Sequence, residues 1–294
     1  MRDTFVNTIT QAMDRDESIY FITGDLGYGL FDDFPTRFGP RFINAGVAEQ
    51  NMMALATGLG LLGKKVICYS IANFTFMRCL EQLRNGPIYH ELNVCVVSSG
   101  GGFTYGQLGF SHFAIEDYGV LSSFSGLRVY HPSTSAQVEA CVYDAFNQNG
   151  PSYLRIEKKE LSLPREASRG PNLLLEKHKS GFLRAVVAVG GLAGEAWRAF
   201  SGDANTAIYT LPDHAGVWNA EVHEELRQYA DVVVIEEHVY RNCAGEKLKA
   251  ALAGVATVRQ INISDSGPSV VGDQNFLRRH YGLDAESLAK VVGI

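Results

Sequence analysis

A chain of 294 residues, 46% hydrophobic and 20% charged, has the composition of a folded globular protein and enough length for about two domains at roughly 100–200 residues each, which excludes disorder and collagen-like repeats. Its 26 Lys+Arg against 32 Asp+Glu leave a formal charge of −6, so neither nucleic acid nor an anionic membrane is expected as the main partner; a small molecule or another protein is. Five cysteines without a CxxC pair read as buried small side chains, not a disulfide framework or zinc site. No apolar run approaches the ~18 residues of a membrane span, and Met1-Arg2-Asp3-Thr4 lacks a signal pattern, so a soluble, cytoplasmic protein is expected.

In chain order, apolar periodicity alternates between helix-like stretches and short β-rich ones. Strands are expected at 19–23, 42–44, 65–70, 94–98, 127–130 and 152–156, and helices at 5–13, 48–61, 76–84 and 135–147. The strands lack the regular in–out alternation of a one-faced sheet, which predicts parallel strands covered by helices on both faces. Residues 157–179 are charged, carry Pro164 and Pro171, and show little periodicity. Beyond them, strands at 185–189, 206–210, 232–235 and 255–261 alternate with helices at 193–201, 217–229, 244–252 and 285–291. The expectation is α/β, with a doubly wound domain over residues 1–160, a linker over 161–180 and a second, smaller α/β domain over 181–294.

The most informative segment runs from Asn44 to Met53, where a short strand meets a helix and Glu49 falls in the first helical turn. A carboxylate there is favoured by the helix dipole whatever its role. The wider pattern points further. Gly24-Asp25-Leu26, Gly46-Val47-Ala48-Glu49-Gln50, the Arg78…Glu81-Gln82…Arg84 run, Gly109-Phe110-Ser111-His112, Pro151-Ser152-Tyr153-Leu154-Arg155 and the late Glu236-Glu237-His238 follow one another in order. Together, over nearly the whole chain, they resemble the pyrimidine-binding and carboxy-terminal domains of transketolase-like thiamine diphosphate enzymes.

That resemblance implies a role for each matched residue. Glu49 would hydrogen-bond the pyrimidine ring nitrogen of thiamine diphosphate and relay the proton that activates the cofactor, and an apolar interface would favour its neutral form by desolvation. Phe74 would stack on the aminopyrimidine, with Phe76 the alternative if the register slips by two. His112 would face the reacting carbon, where a neutral imidazole can donate or accept near pH 7. Asp25 and Leu26 would border the cofactor, Arg78 would help bind it, and Lys158 would meet the substrate. Glu236, Glu237 and His238 are expected to serve packing in the second domain, and His90, His131, His178, His214, His223 and His280 fit no pattern.

Departures from the family are equally specific. Leu108 stands where transketolases usually carry an Asp that contacts a donor hydroxyl, Lys158 stands where sugar-phosphate enzymes tend to place an Arg, and Gly100-Gly101-Gly102 offers no cation. Lysine meets a phosphate as a point charge without the bidentate fork, which puts ordinary pentose phosphates in doubt. In the family Mg2+ and the diphosphate are held by a Gly-Asp-Gly followed further on by Asn, but here the Gly-Asp pairs at 24–25, 202–203 and 272–273 are followed by Leu, Ala and Gln. The resemblance therefore implies a small subunit of a split transketolase, completed by an amino-terminal subunit and self-associated as α2β2, acting on small sugar or keto-acid substrates. The β subunit of a 2-oxo-acid dehydrogenase and a non-catalytic scaffold are the other readings.

Overall fold

Short strands with no polar face must be covered on both sides, and that requirement shapes the molecule. The computed structural model describes residues 1–71, 73–165, 170–263 and 270–293. Its first sheet holds β1 (Ile19–Thr23), β2 (Phe42–Asn44), β3 (Lys65–Ile71), β4 (Val94–Ser99), β5 (Arg128–Tyr130) and β6 (Ser152–Ile156) in the order β2-β1-β3-β4-β6-β5. Every pairing in it is parallel. The helices of this half are α1 (Arg2–Arg15), α2 (Phe34–Phe38), α3 (Glu49–Leu61), α4 (Leu80–Leu83), α5 (Asp117–Leu121) and α6 (Ser135–Asn147). One apolar cluster, with Phe5, Phe21, Phe34 and Val138, covers one face; another, with Ile22, Met53, Cys68 and Val96, covers the other. All five cysteines are free and buried.

The second sheet contains β7 (Glu176–Lys179), β8 (Arg184–Ala188), β9 (Thr206–Thr210), β10 (Asp231–Val239) and β11 (Thr257–Ile263), ordered β11-β10-β8-β9-β7. It is parallel except for β7, which runs antiparallel to β9 at the edge. Its helices are α7 (Ala193–Phe200), α8 (Ala220–Arg227), α9 (Ala244–Ala251), α10 (Gln274–His280) and α11 (Ala285–Val292). No helix among the described residues is long and apolar enough to cross a membrane.

Three expectations are corrected. The stretch expected as a linker over 161–180, of which residues 166–169 lie outside the described residues, contains β7: Glu176 and His178 are buried, and His178 bonds Thr210 Oγ1 at 2.8 Å and Pro164 O at 2.8 Å. The helix expected at 76–84 is only the single turn α4, followed by a π-turn at Arg84–Ile88. Pro87 has no N–H to continue an α-helix, and a π-turn is the local accommodation. The helix expected at 217–229 is a 3-10 turn at His214–Trp218 and then α8, separated by Asn219, whose side chain caps the N–H groups of Glu221 and Val222.

A buried polar network joins the two halves. Arg155 of β6 donates to Asp117 at 3.1 Å and meets His238 Nε2 from β10, and Tyr153 donates to Asp117 at 2.7 Å. Glu237 accepts from two of the three Arg278 guanidinium nitrogens, at 3.0 and 2.9 Å. Glu236 accepts from the N–H groups of Ala244 and Gly245 at the start of α9. Glu236, Glu237 and His238 thus all have partners within the chain. Removing one member of such a buried pair costs about 3–5 kcal/mol, because its partner is left charged and dry.

Candidate active site

In an open parallel sheet, ligands bind at the carboxyl ends of the strands, near the point where the connections change direction. Here that point lies between β1 and β3: β2 flanks β1 on one side, and the chain then crosses to β3 on the other. The expected site residues other than Lys158 lie along this edge or on the loops above it.

Asp25 follows β1 directly and has a left-handed backbone, φ 59°, a conformation that Asp tolerates better than most side chains. Asn44, at the end of β2, holds it in place. Asn44 Nδ2 donates to Asp25 Oδ1 at 2.9 Å, and the Asp25 N–H donates back to Asn44 Oδ1 at 3.1 Å. Asn44 first, and the Tyr28 hydroxyl second, keep the Asp25 carboxyl below the usual aspartate range. Leu26 O accepts from Thr23 Oγ1 at 2.7 Å, which closes the turn.

The Asn44 carbonyl oxygen also takes the N–H of Gly46 at 2.9 Å, and Gly46 sits at φ 73°, where only glycine is at ease. This turn delivers Glu49 to the first position of α3. The carboxylate is 5% exposed, and Arg78 Nη1 donates to Oε1 at 2.8 Å. A guanidinium therefore faces it, a partner that the expectation based on burial alone left out. The same guanidinium lies over the Phe74 ring, 3.3 Å from its centroid. On the register question, Phe76 is fully buried in the core beneath, whereas Phe74 is half-buried with its ring centroid 5.1 Å from that of His112.

His112 ends a 3-10 turn, Phe110–His112. Its Nδ1 is 3.0 Å from Ser111 Oγ. Partial burial first, and the charge of Arg78 second, hold its pKa below the ordinary histidine value, so the ring is neutral at pH 7. Leu108 lies on the same loop, 53% exposed.

Glu49, Phe74, Arg78 and His112 are thus brought together, and Asp25 is tied to the strand end that leads into the Glu49 turn. Lys158 is placed elsewhere. Its ammonium lies 3.9 Å from the Tyr105 ring centroid, in a cavity of about 320 Å³ that it shares with Thr104, Glu195 and Arg278 and that Glu49, Phe74 and His112 do not line.

Two contributors escaped sequence reasoning. Asn73 Nδ2 donates to Ser111 O, tying the Phe74 segment to the His112 turn, while Asn73 Oδ1 is buried without a partner among the described residues. Asn44 acts through the two bonds given above. Asn44 opens the segment that leads to Glu49 but carried no role of its own in the sequence, and Asn73 is marked only by its place after β3.

A buried carboxylate at a helix start, an aromatic face, an unpartnered amide oxygen and a neutral imidazole fit an aminopyrimidine ring, which presents ring nitrogens, an N–H donor and a flat face. They do not make a metal site. Among the described residues, the one group of His, Cys, Asp or Glu close enough to hold an ion is Asp117, His131 and His238, where Arg155 already bonds the carboxylate and His238 Nε2.

Residues 1–164 match the family described as transketolase, pyrimidine binding domain. The chain is 26% identical to one of the subunits of the apulose-4-phosphate transketolase of Actinobacillus succinogenes, over 98% of its length and 94% of that protein. It is 28% identical to a putative transketolase C-terminal section of Methanocaldococcus jannaschii over 99% and 94%. Among solved structures, a split gene transketolase described as an inactive beta4 tetramer superposes with a TM-score of 0.84 at 25% identity, over 99% of this chain and 96% of that one. A Pichia stipitis transketolase variant shares the fold, with a TM-score of 0.79 at 15% identity over 99% of this chain and 45% of that one.

Proposed function

The chain belongs to the transketolase family by its pyrimidine-binding domain, a family that implies thiamine diphosphate, and on that premise we propose that it is the C-terminal-half subunit of a split transketolase. The reaction is transfer of a two-carbon ketol unit from a donor ketose or 2-oxo acid to an aldehyde. The observation that carries this reading is the buried Glu49 carboxylate at the start of α3, paired with Arg78, whose guanidinium lies over the Phe74 ring beside His112.

Thiamine diphosphate, when bound, would supply an acidic thiazolium carbon. Glu49 would hold a proton at its carboxylate for exchange with the pyrimidine ring nitrogen. Phe74 would stack on the ring, on the face that the Arg78 guanidinium otherwise covers. Asn73 Oδ1 would accept from the ring's amino group, and Asp25 and Leu26 would border the cofactor. Ser111 engages Nδ1 of His112, so Nε2 is the nitrogen left for the donor. Lys158, in its separate cavity, is given no part in this reading.

These 294 residues bring no Gly-Asp-Gly and, where described, no ligand cluster at the site. The diphosphate and Mg2+ are therefore assigned to a partner subunit in an α2β2 assembly. In support, the two relatives that are themselves a transketolase subunit and a C-terminal section are spanned almost end to end. Free, buried cysteines throughout fit a reducing cytoplasm.

The test is calorimetric titration of thiamine diphosphate with Mg2+ into the chain alone and into its mixture with the amino-terminal subunit, followed by a ketol-transfer assay. Tight binding and turnover only in the mixture are expected. Ketol transfer by the isolated chain would overturn the split-site reading, and preference for pyruvate over hydroxypyruvate would favour the 2-oxo-acid dehydrogenase type of chemistry.

A further inference from the structure

The loop that carries His112 is anchored in the other half of the molecule. Gly102 and Ala114 exchange both backbone hydrogen bonds, at 2.9 and 3.0 Å, and so close residues 103–113 into a loop. Its apolar anchors, Phe103 and Phe113, are buried in the same core as Val186, Ile235, Leu277 and Leu283 of the second half. Phe103 stacks on Tyr281, with centroids 5.2 Å apart and planes at 14°, and meets Phe113 edge-on at 5.1 Å. Gln274 Nε2 donates to Thr104 Oγ1 at 3.2 Å, and the Val239 N–H donates to Ile115 O at 2.9 Å.

Two glycines show how close the contact is. A Cβ on Gly106 would stand 2.5 Å from Gly272 O and would run into Leu277 Cδ1. Gly102, at φ 55°, would drive a Cβ into the Glu237 carboxylate, which Arg278 clamps through two hydrogen bonds. Glu49, Phe74 and Arg78, by contrast, stand on α3 and on the segment after β3, both in the first half.

We propose that the C-terminal half is a positioning element for the reaction: α10, through Leu277 and Gln274, together with the Gly272 backbone and Tyr281, forms a seat that fixes the 103–113 loop and with it His112. The kinetic consequence rests on the ketol-transfer reading; the seat does not. Side chains that meet reacting atoms are most accurate on rigid supports, and a displacement of about 1 Å costs on the order of 100-fold in rate. The second domain thereby sets substrate handling while leaving cofactor binding to the first.

Gly106→Ala tests this, because the new methyl group must lift the loop off Gly272. Gly202→Ala, with open space around it, is the control. In the reconstituted two-subunit enzyme, Gly106→Ala is expected to lower kcat/KM for the ketol donor by about 10- to 100-fold, with thiamine diphosphate affinity held within about 2-fold and the control unchanged in both. A parallel loss of cofactor affinity, or no loss of kcat/KM, overturns the proposal. NMR titration of His112 in the full chain is independent of turnover: its lowered pKa should move up toward about 6.5 as the loop loosens, and an unchanged midpoint in a folded variant also overturns it. Should Gly106→Ala not fold, Tyr281→Ala, at a half-buried position, carries the same expectations. A wild-type complex without ketol transfer would end the functional reading, and the titration would still decide the seat.

Discussion

The guanidinium of Arg78 lies 3.3 Å from the centre of the Phe74 ring. One of its nitrogens reaches Glu49 at the same time, so a single side chain covers the aromatic face and pairs with the carboxylate that the cofactor ring is proposed to meet. The Arg78 side chain is 43% exposed and can reach water, but that of Glu49 is 6% exposed, so withdrawing the guanidinium leaves a dry carboxylate that needs a new partner. The site is thus covered by a group whose displacement calls for a hydrogen-bonding group at Glu49 in its place.

Glu49→Gln keeps a hydrogen-bond acceptor for Arg78 but removes the exchangeable proton. In the reconstituted enzyme kcat is expected to fall by about 10²–10⁴-fold, the range for loss of general acid–base catalysis, while assembly and melting temperature change little. Steady-state kinetics beside size-exclusion chromatography would show this; unchanged turnover would favour the scaffold reading.

Phe74 and Phe76 separate function from packing. Phe74→Ala should weaken thiamine diphosphate binding by about 5- to 10-fold, the equivalent of an aromatic stack worth about 1 kcal/mol, with little loss of stability because the ring is half-buried. Phe76→Ala removes a fully buried side chain and should lower unfolding free energy by about 3–5 kcal/mol. Calorimetric titration and chemical denaturation of both variants give the comparison, and the reverse pattern would put the stacking ring at Phe76.

The neutral form of His112 is maintained by burial and by the charge of Arg78. Protonation occurs as pH falls through the lowered pKa, so the acid limb of kcat/KM should lie below about 6.5. In the cofactor-free chain Arg78→Gln removes the second of these causes and is expected to raise the His112 midpoint, and His112→Gln should abolish the acid limb of turnover. NMR titration of the chain reads the first, and profiles of kcat/KM from pH 5 to 8 read the second.

Leu108 offers the donor no hydrogen bond. It is 53% exposed, so Leu108→Asp should be tolerated structurally and should raise kcat/KM for hydroxylated ketose donors relative to hydroxypyruvate by about 3- to 10-fold, the worth of one net hydrogen bond. A ratio of donor specificities unchanged by the substitution would remove Leu108 from the substrate path.

Acid sensitivity should come from histidine before carboxylates. Burial first, then the charge of Lys247, depress His214 from 6.5 to about 3. The unfolded chain therefore binds the proton more tightly, and stability falls as pH drops from about 6.5 toward 3, by up to ~1.4 kcal/mol per pH unit. Glu160, held at about 2 mainly by its bonds to the chain's amino terminus and Ser135 against the opposing effect of burial, loses its contribution only below its ordinary value near 4.5. His214→Gln should flatten the melting temperature between pH 6.5 and 4.5; a slope equal to that of wild type would contradict the assignment.

Alternating periodicity and strands such as Ile19–Thr23 and Ser152–Ile156 were legible in the sequence because buried strands without a polar face leave a local pattern, whereas the Glu49 and His112 segments stood out only through their resemblance to the transketolase family. The tertiary structure alone decided the rest. Strand β7 reads as charged linker, yet the burial of Glu176 and His178 is met by Gln137 and Thr210, which lie far away in sequence. Arg78 reaches Glu49 across 29 residues while covering Phe74, and the His112 loop rests on Tyr281 and Leu277 from the far end of the chain. Periodicity reports which side of an element is buried, whereas these contacts depend on what buries it, and that is set only when elements distant in sequence pack together.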